Sequence, residues 1–172
     1  MESCVNAFLA ICIIPTVFYT VNLSTTILMS YQSPHTPFPT TPAFNTSLVL
    51  LECAAIKMPL LPWYKIESCV RTSELYHVSN GHVPYQAGLR LPTAYVMPRL
   101  APRSVFTTQL YRDSDTVSQA LVIVHECAHL ALGAHDIAYY WQEQFHQLTA
   151  KEHLANADSY LYEILRQCTT RH

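Results

Sequence analysis

The chain has 172 residues, half of them hydrophobic, which suffices for one domain with a real core and is too little for two. Its formal net charge is -2 and its ten basic residues are scattered. That excludes the concentrated cationic surface a phosphate backbone requires, so nucleic acid is not an expected partner.

Charge is unevenly placed: no Asp, Glu, Lys or Arg occurs from Ser3 to Leu51. Within that stretch the apolar run Ala7 to Val21 has the length of a secretory signal's hydrophobic region. Residues 1–30 are therefore expected to be a signal peptide, and the chain secreted. The alternative is an uncleaved membrane anchor, because apolar character resumes at Ile27-Leu28-Met29 and roughly 20 apolar residues span a bilayer. Membrane association is expected only in that case. The following Ser33 to Pro42 segment is rich in Pro and Thr, whose restricted backbones favour extended chain, so residues 31–46 read as a linker and 47–172 as the folded domain. That domain is expected to be a monomer.

Six cysteines agree with an oxidising compartment, and none has the C-x-x-C spacing of a zinc ribbon or redox motif. Cys53 and Cys69 are placed to pair within a short loop and Cys168 elsewhere, while Cys127, inside a helix, is expected to be packed. From Leu51 to Tyr111 the pattern is mixed. Glu74 to Ser79 and His82 to Tyr85 flank Asn80-Gly81, the strongest short hairpin signal. Strands are predicted at Thr93–Met97 and Val105–Tyr111, both rich in β-branched and aromatic residues. His77 and His82, on opposite hairpin arms, are expected to be ordinary strand residues, since no third metal ligand is near.

A long helix follows. Thr116-Val117-Ser118-Gln119 has the form of a capping box, Ala120 to Val124 is apolar on every side, and Gly133 suits a left-handed C-terminal cap. The helix is predicted to run through the core. His125 and His129, four apart, lie on one face about one turn from each other and can converge on one ion. Glu126 is about 100° further round, where its carboxylate reaches a water activated by zinc without joining the ligand set. Leaving two imidazoles and a carboxylate in an apolar run costs several kcal/mol, on the order expected for unpaired buried polar groups, unless an ion pairs them.

The third ligand lies at His135 or Asp136. A histidine at His135 would match the metzincin signature, but Leu132 occupies that signature's glycine position and no methionine follows Met97. The segment Gly133-Ala134-His135-Asp136-Ile137-Ala138-Tyr139 resembles the G-T-x-D-x-x-Y segment of the deuterolysin, or aspzincin, metalloendopeptidases. Asn156-Ala157-Asp158-Ser159-Tyr160 resembles the N-A-D-S-Y stretch of their C-terminal helix. The resemblance covers roughly the last sixty residues. It implies one catalytic Zn²⁺ held by His125, His129 and Asp136, with Glu126 as general base and Tyr139 as oxyanion donor. It also implies that Asp158 contacts substrate, as the acids of lysine-specific members do. Leu161 stands where a second acid would, so strict lysine specificity does not carry over.

Thr149-Ala150-Lys151-Glu152 is a second capping box, and Leu154, Ala157, Leu161, Ile164, Leu165 and Cys168 follow at helical spacing. This last helix is predicted to pack across the zinc-bearing one. In the run Tyr139-Tyr140-Trp141, continued by Phe145, the rings line the substrate cleft or fill the core; core is expected for Trp141 and Phe145. The expectation is a mainly helical α+β domain with a zincin-like active-site helix and a small sheet. Its expected activity is hydrolysis of internal bonds in protein or peptide substrates. The alternative is a secreted binding or effector protein, catalytically weak or inactive.

Overall fold

The computed structural model describes residues 36–37, 41–78 and 93–169. A two-residue strand β1 (Thr36–Pro37) precedes helix α1 (Pro42–Lys57). That helix starts inside the expected linker, because Thr41 caps it: its Oγ accepts from the Phe44 amide at 3.2 Å. Pro42 occupies the first turn, where its fixed φ suits a helix and its missing N–H is no loss. Ala43, Phe44, Ser47, Leu50, Leu51 and Ala54 form the buried stripe. Helix α2 (Trp63–Thr72) buries Trp63, Ile66 and Val70 and turns the Glu67–Arg71 pair outward. Burying each such large apolar side chain contributes roughly 1.5–3 kcal/mol.

Strands β2 (Glu74–His77), β3 (Ala94–Met97) and β4 (Ala101–Thr107) complete a sheet of order β1-β2-β4-β3, with β2 parallel to β4 and the other pairs antiparallel. The turn and second arm of the expected Asn80-Gly81 hairpin, His82 included, lie outside the described residues, as does the apolar N-terminal run. Among the described residues no helix is long and apolar enough to cross a membrane. The last strand begins and ends earlier than its composition predicts. Pro102 is tolerated because β2 pairs only with Ser104 to Thr107. Beyond Thr107 the chain turns into a short helix α3 (Gln109–Arg112), whose Tyr111 carbonyl is held by the Gln119 side chain at 3.0 Å. Phe106 stacks between Tyr76 and Tyr95 on the sheet face opposite Val105, which belongs to the main core.

Helix α4 (Thr116–Leu132) packs against α1, α2, β3 and β4. Its cap is Asp115, not Thr116: one carboxylate oxygen accepts from the Val117 and Ser118 amides at 2.9 and 3.0 Å. An Asp at this position also meets the positive end of the helix dipole. Gly133 ends the helix as expected, with φ of 66°. A 3-10 turn (Glu143–Gln147) leads to α5 (Ala150–Ala155), which carries the predicted Thr149–Glu152 capping box. The expected single C-terminal helix is broken at Asn156, whose backbone is extended; α6 (Ala157–Ile164) and a π turn (Leu165–Thr169) follow. Helix α6 does lie across α4. Phe145 is core at 2% exposure, but Trp141 is not, at 66%.

The cysteine pairing also differs from expectation. Cys53 on α1 bonds Cys168 in the terminal π turn, while Cys69 and Cys127 are free thiols. The reason is spatial: α1 packs beside that turn, and the Lys57 ammonium donates to the Gln167 carbonyl there. Cys127 is fully buried, as expected. A bridge 115 residues apart constrains the unfolded chain strongly. Replacing both Cys53 and Cys168 with Ser is expected to cost about 2–5 kcal/mol, read as a lower denaturant midpoint; an unchanged midpoint would show the bridge to be idle.

Candidate metal centre

The site is built by one turn of α4 and the segment after it. Helical spacing of four brings the His125 and His129 rings together edge-on, at 80° to each other, with their Nε2 atoms 3.2 Å apart. Gly133 reverses the chain so that Asp136 returns to the same point: its Oδ1 is 3.1 Å from His125 Nε2 and 3.3 Å from His129 Nε2. Three donor atoms thus form a nearly equilateral triangle. The edge of a tetrahedron with bonds of 2.0–2.1 Å is about 3.3 Å, so the spacing fits zinc.

Tautomers sharpen that fit. His129 Nδ1 lies 2.7 Å from the Ala134 carbonyl, which can only accept, so Nδ1 carries the hydrogen. His125 Nδ1 faces the Asp158 carboxylate at 3.5 Å, long for a hydrogen bond but close for a charge pair, and it too carries a hydrogen. Both neutral rings then turn bare Nε2 lone pairs toward each other and toward a carboxylate oxygen. Three converging acceptors repel unless a positive charge sits among them, either a metal ion or, without one, a proton on His125 Nε2 shared with Asp136. The site opens beside Asp136, whose side chain is 42% exposed, against 12% for His125 and 13% for His129.

Protonation follows the same logic. Burial works against charge on His125, but the Asp136 and Asp158 carboxylates overcome it and push the imidazole up to about 10. His129 is likewise opposed by burial and raised by Asp136. Partial burial tends to raise Asp136, yet the two imidazoles hold it well below the usual carboxylate range. Glu126 is buried beside them and forms no hydrogen bond to another described residue; burial pushes its carboxyl up, with the histidines offsetting part of the effect. Burial and then the nearby Asp136, Asp158 and Glu126 charges raise Tyr139, keeping its hydroxyl a donor. Its ring lies nearly parallel to that of His125, with centroids 6.5 Å apart.

His125, Glu126, His129, Asp136 and Tyr139 are therefore gathered as the sequence suggested. His135 is excluded from the cluster. Its side chain is exposed, and its backbone is bonded to Ala155 and Ala157 at 2.8 and 2.9 Å. Asp158, expected to contact substrate, is 2% exposed, with Oδ1 toward His125 and Oδ2 accepting from the Tyr140 amide. A carboxylate behind a histidine of such a cluster is where a residue that tunes a bound metal would stand.

Asn156 is the residue whose role the sequence did not disclose. Fully buried, it accepts at Oδ1 from the amides of Ile137 at 2.9 Å and Ala138 at 3.3 Å. Its Nδ2 donates to the Ala138 carbonyl at 2.8 Å and to Ser159 Oγ at 3.1 Å. An asparagine inside an otherwise helical pattern is the available signal, since its side chain competes with helix backbone. No family model, curated protein or solved structure matches the chain.

Two outcomes follow. Asp158→Asn is expected to weaken zinc binding about 10- to 100-fold and also to lower the stability of the metal-free fold, since it removes one of the His125 charge pairs. Asn156→Ala should cost about 3 kcal/mol, by orphaning buried backbone groups, and weaken zinc binding as well. Competition titration with a chelating dye and thermal melts check both, and undiminished affinity in Asp158→Asn would deny it the tuning position. The raised His125 also sets a pH dependence. Its charge pairs stabilise the metal-free fold fully below pH 6.5, a contribution lost as pH rises through about 10. Zinc displaces that proton, so binding should release protons at pH 8 and weaken as pH falls, measurable by calorimetry in buffers of different ionisation enthalpy.

Proposed function

We propose that the chain is a zinc-dependent metalloendopeptidase of the aspzincin type. The observation that carries this reading is the triangle of His125 Nε2, His129 Nε2 and Asp136 Oδ1, with edges of 3.1–3.3 Å, beside a buried carboxylate that has no other described partner. Two histidines and a carboxylate also suit iron(II). Glu126 favours hydrolytic use, because a poised, otherwise unbonded base is what peptide hydrolysis needs.

Zinc held by these three residues would lower the pKa of a water molecule to about 7 and polarise a peptide carbonyl. Glu126 would take the water's proton on its carboxylate and pass it to the leaving amine. Burial makes that carboxylate a stronger base than an exposed one. Tyr139 would donate from its hydroxyl to the carbonyl oxygen as negative charge develops there. Asp158 would keep the hydrogen on His125 Nδ1, leaving Nε2 free to bind. The Cys53–Cys168 bridge supports secretion, since such bonds persist in oxidising compartments.

Glu126→Gln is expected to retain stoichiometric zinc and to lose cleavage of an unfolded protein by at least about 10²-fold, the share a positioned base commonly supplies. Wild-type protein with full zinc and no chelator-sensitive cleavage would point instead to the non-enzymatic binding or effector role. Asp136→Ala should lose zinc while His135→Ala keeps it, as measured by elemental analysis; the reverse result would remove the aspzincin assignment.

A further inference from the structure

Trp141 is exposed over two thirds of its surface yet firmly held. Its ring stacks on Tyr139 with centroids 4.8 Å apart and planes within 6°. Tyr140 meets it edge-on at 5.0 Å, and the Tyr140 amide is tied to the buried Asp158 carboxylate. Tyr140 in turn lies against Tyr162, which packs on the core residue Phe145. The turn is closed at both ends: the Gln142 amide donates to the Tyr139 carbonyl, and the Gln142 side chain accepts from the Tyr139 amide, each at 2.8 Å. The indole is therefore presented in one orientation before anything binds.

We propose that the stacked rings of Tyr139 and Trp141 form a substrate subsite for an aromatic or large aliphatic side chain, within about three residues of the bond to be cut. This rests on the endopeptidase reading above. The reach follows from geometry: ring-to-ring steps of 6.5 and 4.8 Å put the indole no more than about 11 Å from His125, and an extended peptide advances about 3.5 Å per residue. The ligand chemistry follows from what the platform offers. Of the carboxylates that act on Tyr139, Asp136 and Asp158 face imidazoles and Glu126 is buried, so the platform presents ring surface and not an ion pair. A fixed aromatic face that loses little conformational freedom on contact is well suited to a flat or branched apolar group. Tyr139 belongs to both places, its hydroxyl to the reaction and its ring to the platform.

The test uses zinc-loaded Glu126→Gln protein and fluorescently labelled peptides that differ only in Phe or Ala at each of three positions on either side of a cleavable bond. At one position Phe should bind about tenfold tighter by anisotropy, an advantage that Trp141→Ala removes and Trp141→Phe largely keeps. In the Glu126-containing enzyme, Trp141→Ala should lower the ratio of kcat/KM for the Phe peptide to that for the Ala peptide about tenfold, chiefly through KM, and Trp141→Phe should largely restore it. Equal binding of both peptides at every position, or a Phe preference that survives Trp141→Ala, overturns the subsite and leaves the endopeptidase reading standing. Phe-selective, Trp141-dependent binding without any cleavage by the zinc-loaded wild type does the opposite: it supports the platform and removes the endopeptidase reading.

Discussion

The buried amide of Asn156 is the constraint on which the rest of the site depends. A helix alone can set two histidines one turn apart, but it cannot bring a residue seven positions beyond the second histidine back to the same point. That return is fixed by four hydrogen bonds from a single side chain to Ile137, Ala138 and Ser159, and by the backbone pairing of His135 with Ala155 and Ala157. Asn156 must leave helical geometry to do this, so the C-terminal helix is split in two. Losing the Asn156 side chain would strand the backbone N–H and C=O of Ala138 away from water, which couples these bonds to one another.

The same split allows the next residues to serve the site from behind. Asp158 meets both His125 and the Tyr140 amide, joining α4 to the aromatic turn through one carboxylate. Tyr160 anchors the pair of helices from the other side, its ring against Trp63 and its hydroxyl on the Leu154 carbonyl. Burial is graded accordingly. Glu126, Asn156 and Asp158 are inside, Asp136 is half open, and Trp141 stands in solvent. Groups that must be held are buried, and the edge that substrate would approach is not.

Much of this was legible in the sequence, for identifiable reasons. The i, i+4 histidines, the glycine stop and the Thr149–Glu152 box depend on contacts within a few residues, and the structure has each where the spacing put it. Asp136 was legible through resemblance, whereas its convergence depends on contacts with Asn156, twenty residues on. Other features were misread, some set by distant partners and some by local contacts whose chemistry outweighed the pattern. Asp115 displaced Thr116 as the cap because a carboxylate serves two amides at once. Cys53 found Cys168, not Cys69, because three-dimensional packing of α1 decides pairing and sequence separation does not. Trp141 was assigned to the core on its size, yet the turn closed by Gln142 holds it outward. Asp158 was taken as a substrate contact, and its burial behind His125 follows only from the break at Asn156.

The Cys53–Cys168 bond has a topological consequence as well as an energetic one. It turns the polypeptide between those residues into a covalent ring that contains every element from the end of α1 to the π turn, the His125–His129–Asp136 cluster included. One backbone cut anywhere within a ring opens it without dividing it. A molecule nicked in this way keeps both new ends tethered to the same core. For a protein proposed to cut exposed chain, and surrounded by copies of itself, accidental self-cleavage would leave a single covalent particle until the bridge is reduced.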